Sequence, residues 1–264
     1  MDLDGRNVVV TGGAKGIGYA LAEAFIGAGA ATVTIADLDI ELVSSAAERL
    51  GERVHGEVVD VSDVSQLTRL VGEAEDRGGP IDLFVSNAGV GTALGLDADD
   101  ATWDRTWQVN VMAHVHAAQA VIPSMVARGE GYLLSTASAA GLLTQLGDLP
   151  YSVTKHAAVA VAEWLAITYG HLGVKVSCLC PQYVRTDMVA EAVGTPVEQL
   201  AAEGMIEPSD VADSVLAGLA TEQFLILPHP EIAEYYRRRA TDTARWLAGM
   251  RRLQTAIASL SSDP

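Results

Sequence analysis

The chain has 264 residues, of which 49% are hydrophobic and only 5% aromatic, and it contains 25 glycines. This length and composition predict a compact α/β protein with a substantial core and exclude a disordered or fibrous chain. The formal net charge of −17 argues against nucleic acids and anionic membranes as partners, because both carry negative charge.

Targeting segments and metal sites are not expected. Residues 1–6 are acidic and lead directly into an apolar run, so we predict no signal or transit peptide. No uncharged apolar stretch approaches the ~20 residues that a membrane-spanning helix needs. Cys178 and Cys180 stand two positions apart in an apolar run without a nearby histidine cluster. We therefore predict two buried free thiols, no metal site and a cytoplasmic, reducing location.

A glycine-rich turn lies near the start of the chain, between a predicted strand and a predicted helix. Residues 7–11 form a β-branched run typical of a strand covered on both faces, and residues 19–30 are good helix formers. This order lets the backbone approach a pyrophosphate, whose charge the N–H groups of the helix start can hold. The residues assigned to this site are Gly12, Lys15, Gly16, Ile17 and Gly18.

Asp37 closes the next predicted strand, residues 31–36. An acid about 20 residues beyond the glycines accepts hydrogen bonds from the adenosine ribose hydroxyls and repels a 2′-phosphate. Lys15 favours NADP instead, because a basic residue just before a loop glycine can bind the 2′-phosphate. The carboxylate is expected to lie closer to the ribose, so we predict NAD rather than NADP as the cofactor.

The third predicted strand, residues 54–59, ends at Asp60 and Val61. A carboxylate and an adjacent backbone amide at this position can hold the adenine. Alternatively, Asp60 is a turn residue at a helix start, because Ser62 and Asp63 also resemble caps.

The fourth predicted strand, residues 82–86, leads into Asn87, Ala88 and Gly89, small residues that let a cofactor pass close over the sheet. Strands and helices alternate along the chain, which predicts a parallel sheet with ligands at the carboxyl ends of its strands. The expected fold is a single Rossmann-like, doubly wound α/β domain over residues 1–230, with about seven strands and helices on both faces. A C-terminal helical extension is expected at residues 231–264.

Tyr151 and Lys155 stand four positions apart, so on a helix they share one face. An ammonium beside a phenol in a partly dry cleft favours the phenolate and lowers the pKa of the phenol from its usual value of about 10. The pair alone is also compatible with an amphipathic surface helix.

The motifs elsewhere in the chain favour a functional interpretation of the Tyr151–Lys155 pair. Ser138 precedes Tyr151 by 13 positions and follows Asn110 by 28. Taken together, residues 4–228 resemble the short-chain dehydrogenase/reductase family, in its short-subunit branch. The resemblance rests on Thr11, Gly16, Gly18, Asp60, Asn87, Ala88, Gly89, Asn110, Ser138, Tyr151, Lys155 and the segment 181–186.

The resemblance implies a role for each matching residue. Tyr151 is the general acid/base, Ser138 hydrogen-bonds the reacting oxygen, and Asn110 holds a water in a proton relay. Lys155 binds the nicotinamide ribose and lowers the pKa of the phenol. Pro181, Val184 and Thr186 match the segment that binds the nicotinamide carboxamide, where Gln182 departs from the usual glycine.

The resemblance also places the substrate beside three mostly apolar segments. This lining favours a neutral, fairly hydrophobic secondary alcohol or ketone. Residues 190–206, with Gly194 and Gly204 around Pro196, suit either a lid over the substrate or a fixed pair of surface helices. The residues assigned to substrate are Leu142, Gln145, Gln182, Tyr183 and Met188.

The chain continues past the region of resemblance with a stripe of apolar residues at helical spacing. The stripe needs a covering surface, either on its own domain or across a subunit boundary. The resemblance implies a homo-oligomer, a dimer or tetramer built on the helices that contain Asn110 and Tyr151. The stripe consists of Trp246, Met250, Leu253, Ile257 and Leu260.

These features predict an NAD-dependent dehydrogenase or reductase acting on a small-molecule alcohol or ketone. The alternatives are an NADP-dependent ketoreductase, a catalytically silent NAD-sensing regulator, and a lyase or epimerase that uses bound NAD transiently. The intact set Asn110, Ser138, Tyr151 and Lys155 argues against the regulator, which has no need of an activated phenol.

Overall fold

The computed structural model describes residues 1–190 and 204–260. It contains one seven-stranded sheet in the order β3-β2-β1-β4-β5-β6-β7, and all neighbouring strands are parallel. The strands are β1 Asn7–Thr11, β2 Thr32–Asp37, β3 Val54–Val58, β4 Leu83–Ser86, β5 Gly131–Thr136, β6 Val174–Leu179 and β7 Leu225–Ile226.

Helices connect these strands and extend the chain after the last one. The first five are α1 Gly16–Gly27, α2 Ile40–Leu50, α3 Val64–Gly78, α4 Asp100–Trp107 and α5 Ala113–Arg128, with a π-helical turn, Gln108–Met112, between α4 and α5. The others are α6 Ala140–Leu143, α7 Leu149–Tyr169, α8 Asp187–Ala190, α9 Pro208–Ala220, α10 Glu231–Thr241 and α11 Thr243–Leu260.

Each face of the sheet is covered by helices. One core cluster contains Leu70 of α3 and Met125 of α5, and the other contains Phe25 of α1 and Leu219 of α9. The inner strands β1, β4 and β5 are buried along their whole length because both of their faces are covered, which explains the apolar runs in their sequence. The predicted single-domain, doubly wound α/β fold is confirmed.

The strand order reverses at β1, which lies between β2 and β4. In open parallel sheets ligands bind in the crevice outside the carboxyl ends of the strands at such a reversal. The loops after β1 and β4 therefore form the first place to look for a functional site.

The two cysteines have the state that the sequence predicts. Cys178 and Cys180 are buried free thiols with their sulfur atoms 3.8 Å apart. Among the described residues no group of three or more His, Cys, Asp or Glu side chains is arranged to hold a metal, and no helix has the length and apolar character to cross a bilayer. The suggested lid around Pro196 lies outside the described residues, and the domain boundary after residue 230 stays a prediction.

Candidate active site

The loops after β1 and β4 are locked together at the strand-order reversal. The Asn87 side-chain amide donates to the carbonyls of Thr11 and Gly12, at 3.1 and 3.2 Å. Gly12 has a φ of +63°, and a Cβ at this position would lie 2.9 Å from the Cα of Ala88. Because both the backbone conformation and the space exclude a side chain, this position requires glycine.

The glycine turn ends at the start of α1. Gly16 has a φ of +54°, and an added Cβ would lie 3.1 Å from Cγ2 of Thr186, so the turn and the segment after β6 lie against each other. Gly18 packs so closely that a Cβ would lie 2.0 Å from the Gly12 carbonyl oxygen. Lys15, the residue at the N-cap of α1, does not cap the helix with its own side chain, and Ile17 in the first turn is half-buried. The amides of this turn are therefore suited to bind an anion.

Acids follow two neighbouring strands: Asp37 ends β2, and Asp60 comes shortly after β3. The Asp37 carboxylate accepts hydrogen bonds from the amides of Ala14, at 3.1 Å, and Leu38, at 2.9 Å. The exposed Lys15 ammonium lies 2.9 Å from the Asp187 carboxylate. Because it accepts from the Ala14 amide, the Asp37 carboxylate holds the glycine turn against the end of β2.

Asp60 uses one carboxylate oxygen in a local turn, where it accepts from the amide of Ser62 at 2.9 Å and from its hydroxyl at 2.6 Å. Asp63 caps α3, and Val61 is buried. The turn function that the sequence left open for Asp60 is thus present.

A phenol, a hydroxyl and an ammonium meet at the carboxyl end of β5. The Tyr151 phenol hydrogen-bonds with Ser138, which is buried. Lys155 on the next turn of α7 is also buried, and its Nζ lies 5.6 Å from the centre of the Tyr151 ring. Nζ donates to the Thr136 carbonyl at 2.9 Å. An acid–base group, a hydrogen-bonding partner and a cation are thus collected beside the crevice.

The pKa of Tyr151 corrects one expectation. From the sequence we expected Lys155 to lower it, but burial raises it above the usual value of 10.0, opposed by the Ser138 hydrogen bond. Burial also lowers the pKa of Lys155, from 10.5 to about 8, so the amine is still charged at neutral pH but does not offset the effect of burial on the phenol. Tyr151 is only half-buried as a residue, so a ligand can still reach it. In the free chain the phenol is therefore protonated at neutral pH.

Asn110 is fully buried in the π-helical turn between α4 and α5. Its side chain accepts from the Val90 amide and donates to the Val90 carbonyl, both at 2.9 Å, and donates to the Thr154 hydroxyl at 3.1 Å. The side chain thus joins the loop after β4 to α7. Single π-turns of this kind occur frequently at functional sites.

Gly89, in the loop after β4, lies close to both Lys155 and Asn110. An added Cβ would lie 3.2 Å from Nζ of Lys155 and 3.3 Å from Oδ1 of Asn110. Glycine at this position therefore keeps open the space beside the ammonium.

Asp148 is a site residue that our reading of the sequence missed. It is buried and caps α7 by accepting from the Tyr151 amide at 3.0 Å. The same carboxylate accepts from the amide and hydroxyl of Thr92, at 2.7 and 2.6 Å, and from the Ala93 amide at 2.8 Å. The signal was available, since an acid two residues before a proline is typical of a helix start.

We expect Asp148→Ala to lower the free energy of unfolding by about 2–4 kcal/mol, because four donors lose the buried carboxylate that accepts from them. Asp99→Ala is the matched control, since Asp99 also caps a helix, at 2.8 Å from the Thr102 amide, but is exposed. That change should remove about 1 kcal/mol. Urea unfolding of both variants measures the difference, and equal losses would contradict a bracing role for Asp148.

Two histidines also went unassigned. His114, one turn after Asn110, is buried, and burial lowers its pKa to about 3, with the Lys155 charge contributing. His229 is buried as well; its Nδ1 accepts from the Gln182 amide at 3.2 Å and its Nε2 lies 3.0 Å from the Gly204 carbonyl oxygen. His229 thus fixes the backbone after Pro181 to the chain that returns at Gly204. No local pattern in the sequence marked this role.

The residues assigned to substrate lie at different depths. Leu142 is 2% exposed and Met188 is 46% exposed. Gln145 is exposed, while Gln182 and Tyr183 are half-buried and contact each other through their side chains. Val184 is buried and pairs with Ile206 as an isolated bridge. Leu142 packs in the core, and its carbonyl accepts a hydrogen bond from Arg239.

The family sequence model described as short chain dehydrogenase matches residues 6–196. The chain belongs to the short-chain dehydrogenase/reductase family. It is 33% identical to the 1-deoxy-11-beta-hydroxypentalenate dehydrogenase of Streptomyces exfoliatus over 252 residues, 93% of this chain and 90% of the relative. It is 30% identical to the 3beta-hydroxysteroid dehydrogenase 2 of Eggerthella lenta over 209 residues, 77% of this chain and 78% of the relative.

A solved structure agrees with this short-chain dehydrogenase/reductase assignment. The family member from Burkholderia phymatum, crystallised in complex with NAD, is 31% identical and superimposes with a TM-score of 0.83 over 92% of this chain and 95% of the other. The chain is thus an oxidoreductase of a family whose named members here act on hydroxyl groups.

Proposed function

We propose that this chain is an NAD(H)-dependent oxidoreductase that interconverts a neutral, fairly hydrophobic secondary alcohol and its ketone. The observation that carries the proposal is the convergence of the Tyr151 phenol, the Ser138 hydroxyl and the Lys155 ammonium beside the crevice. A hydride leaves a carbinol carbon only as the hydroxyl proton departs. A base and a hydrogen-bonding group must therefore meet at one carbon, next to the hydride acceptor.

In this proposal Tyr151 takes the hydroxyl proton during oxidation and returns it during reduction. Ser138 hydrogen-bonds the reacting oxygen and keeps it in reach of the phenol. One N–H of Lys155 donates to Thr136, which leaves two to bind the ribose hydroxyls. Its charge favours the phenolate at the moment when the phenol loses its proton. Asn110 holds the loop over the site, and its part in a proton relay remains an expectation from the family.

The crevice suits a dinucleotide. The first turn of α1 can bind the pyrophosphate, and the close approach of Gly12 to Ala88 leaves the loops without bulk where it would pass. NAD, when bound, accepts the hydride in the oxidation direction. The residues proposed to hold it are Gly12, Lys15, Gly16, Ile17, Gly18, Asp37, Asp60, Val61, Asn87, Ala88, Gly89, Tyr151, Lys155, Pro181, Val184 and Thr186.

The proposed substrate class is supported by the residues that line the substrate segments and by the names of two relatives. The segments assigned to substrate offer mostly apolar side chains, and the two relatives named above are called after a hydroxypentalenate and a hydroxysteroid. Both are fused-ring compounds with a hydroxyl group, which supports a cyclic, hydrophobic alcohol for this chain. The residues proposed to contact it are Leu142, Gln145, Gln182, Tyr183 and Met188.

The proposal is tested by incubating the protein with NAD or NADP and a panel of cyclic, aryl and steroid-like secondary alcohols, while the absorbance band of the reduced cofactor is followed. We expect reduced cofactor to appear with NAD and at least one apolar alcohol. Tight NAD binding without turnover on any panel member would favour the sensor. Substrate conversion without net NADH would favour a lyase or epimerase.

Asp37 provides a test of the cofactor preference. We expect Asp37→Ser to shift the ratio of kcat/KM for NAD over NADP toward NADP at least tenfold, about 1.4 kcal/mol, because a carboxylate beside the ribose repels the 2′-phosphate. Asp39→Ser is the matched control: it removes the same charge two residues away, and serine still caps α2. An equal shift in both variants would show a general charge effect and would contradict ribose recognition by Asp37.

A further inference from the structure

His229 stands on a well-anchored part of the backbone. Three residues earlier β7 ends at Ile226, whose carbonyl accepts from the Cys180 amide, just after β6, at 2.9 Å. The carbonyl of His229 itself accepts at 3.1 Å from the amide of Ile232, a fully buried residue of α10. Prolines on both sides of His229 reduce the freedom of the backbone further. The imidazole is therefore carried by a segment that is tied to both the sheet and the core.

The neighbours of the imidazole determine its tautomer. Nδ1 lies 3.2 Å from the amide nitrogen of Gln182, and because this amide can only donate, Nδ1 is the unprotonated nitrogen. Nε2 lies 3.0 Å from the carbonyl oxygen of Gly204, which can only accept, so Nε2 carries the hydrogen. His229 is 3% exposed. It is thus a buried, neutral imidazole that uses both of its nitrogen atoms to hold backbone groups.

The contact with Gln182 completes the fixation of one peptide unit. The peptide bond between Pro181 and Gln182 has its carbonyl bound by the Ala139 amide, at 2.8 Å, and its N–H bound by His229. Because a peptide unit is planar, holding both polar groups fixes the orientation of the plane. Ala139 directly follows Ser138 in the chain. The backbone after Pro181 is therefore oriented relative to the hydroxyl proposed to hold the reacting oxygen.

The contact with Gly204 ties a second segment to the same ring. Two residues after Gly204, Ile206 donates its amide to the Tyr183 carbonyl at 3.1 Å, and its carbonyl accepts from the Arg185 amide at 2.9 Å. The imidazole joins these two segments just before their backbone pairing begins. One side chain thus sets the spacing of the pair at the end where no backbone bond does so.

The segment that the imidazole holds carries two of the residues proposed to contact the nicotinamide. Val184 is 3% exposed, and Thr186 lies against the glycine turn, since a Cβ added to Gly16 would lie 3.1 Å from its Cγ2 atom. Val184 and Thr186 follow Gln182 by only two and four positions. A rotation of the fixed peptide unit would therefore move both residues relative to the turn proposed to hold the pyrophosphate.

We propose that His229 is a positioning residue for the nicotinamide cofactor. Its Nδ1 holds the Gln182 amide so that Val184 and Thr186 lie where the carboxamide binds, and its Nε2–H ties this segment to the chain at Gly204. The inference rests on the proposed function, because it takes nicotinamide as the ligand of the segment. A histidine that only stabilised the fold would affect unfolding and not the affinity for the cofactor.

Two substitutions separate the two contacts of the ring. Asn can place its amide oxygen near the position of Nδ1, and Gln can place its amide nitrogen near that of Nε2. His229→Asn therefore keeps an acceptor for Gln182, whereas His229→Gln keeps only the donor to Gly204. We expect His229→Gln to raise both the dissociation constant and the KM for NAD about tenfold, and His229→Asn to stay within about threefold of the wild type. The change in kcat should be smaller than the change in KM, because the acid–base residues stay in place.

Asn7→Leu is the matched control for a loss of fold stability. Asn7 is 2% exposed, and its side-chain amide also ties two backbone segments, at 3.2 Å from the Ala74 carbonyl and 2.6 Å from the Gly79 carbonyl. It lies at the start of β1, at the edge of the sheet opposite the crevice. It should lower the urea midpoint and leave the dissociation constant for NAD unchanged. Equal constants for His229→Asn and His229→Gln, or an Asn7→Leu effect as large as that of His229→Gln, would overturn the proposal.

Nuclear magnetic resonance tests the contacts of His229 without cofactor or turnover. In protein with ¹⁵N-labelled histidine, and with His229→Phe to assign the signal, we expect a proton on Nε2 and none on Nδ1. The Gln182 amide should exchange slowly with solvent in the wild type and in His229→Asn, and faster in His229→Gln. A proton on Nδ1, or equal exchange in all three proteins, contradicts the hold of His229 on the segment. A wild-type chain that meets both expectations but does not bind NAD would instead contradict the proposed function.

Discussion

Replacement of Tyr151 by Phe is expected to reduce kcat in both directions by about 10²- to 10⁴-fold, the usual contribution of a positioned acid–base group. The dissociation constant for NAD should stay within about threefold of the wild-type value, because the substitution keeps the ring and removes only a hydroxyl. That hydroxyl hydrogen-bonds with Ser138, which is the contact proposed to hold the reacting oxygen. Single-turnover rates and NAD titrations measure the two effects separately.

Tyr132→Phe is the matched control for this result. Tyr132 is a buried tyrosine of β5 whose hydroxyl lies 2.7 Å from the Ser177 hydroxyl, so the same atom is removed from another hydrogen-bonded tyrosine, away from the crevice. It should lower stability by about 1 kcal/mol and leave kcat unchanged. If Tyr151→Phe kept more than about a tenth of the activity, the phenol would not be the acid–base group.

Lys155→Met is expected to abolish turnover and at the same time to raise the free energy of unfolding at pH 7 by about 1–3 kcal/mol. The ammonium is buried, and burial lowers its pKa from 10.5 to about 8. Below pH 8 the amine is charged in both the folded and the unfolded chain, so the full cost of burying the charge is present. Met fills a similar volume without that charge, although the Thr136 carbonyl loses a donor.

The sign of the pH dependence provides a second test of this prediction. Between about pH 8 and pH 10.5 the unfolded chain binds the proton of Lys155 more strongly than the folded chain does. The stability of the wild type therefore rises with pH in this window relative to Lys155→Met, and the advantage of the variant shrinks. Denaturant unfolding of both proteins at pH 7, 8.5 and 10 measures the difference.

Lys175→Met is the control for a general charge effect, since Lys175 is 47% exposed and paired with Glu222. Its stability difference from the wild type should show no comparable trend in the same window. A Lys155→Met protein that is less stable than the wild type at pH 7, or whose advantage is constant with pH, would show that the ammonium is not a buried, destabilising charge.

Local sequence was sufficient for the strands and the glycine turn. The run ending at Thr11 matches β1, because a buried parallel strand needs β-branched residues on both faces. Gly12 and Gly16 have positive φ angles, which only glycine adopts without strain. Helix starts were less well placed: α1 begins at Gly16, three residues before the predicted helix, because the glycines themselves form its first turn.

The π-turn at Asn110 shows where local reasoning fails. Nothing in the pattern around Asn110 distinguishes it from an ordinary helix, and its geometry depends on contacts with Val90 and Thr154, which are 20 and 44 positions away. The same is true of His229, whose partners come from other segments of the chain. The cap at Asp148 had a local signal, but its contacts with Thr92 and Ala93 had none. Such residues are found by their neighbours in space, not by their neighbours in sequence.

The order of apolar, glycine and polar residues was enough to establish the doubly wound fold and to bring the candidate acid–base residues to one edge of the sheet, since strand periodicity, turn conformations and helix spacing are local properties. The protonation state of Tyr151 could not be predicted from the sequence alone. Burial of the phenol and of the Lys155 ammonium depends on how α7 packs against β5, and the loss of hydration outweighs the attraction that their spacing suggests. The extent to which the C-terminal stripe is covered is likewise a property of packing, because a helical stripe predicts that a partner surface exists but not which surface it is.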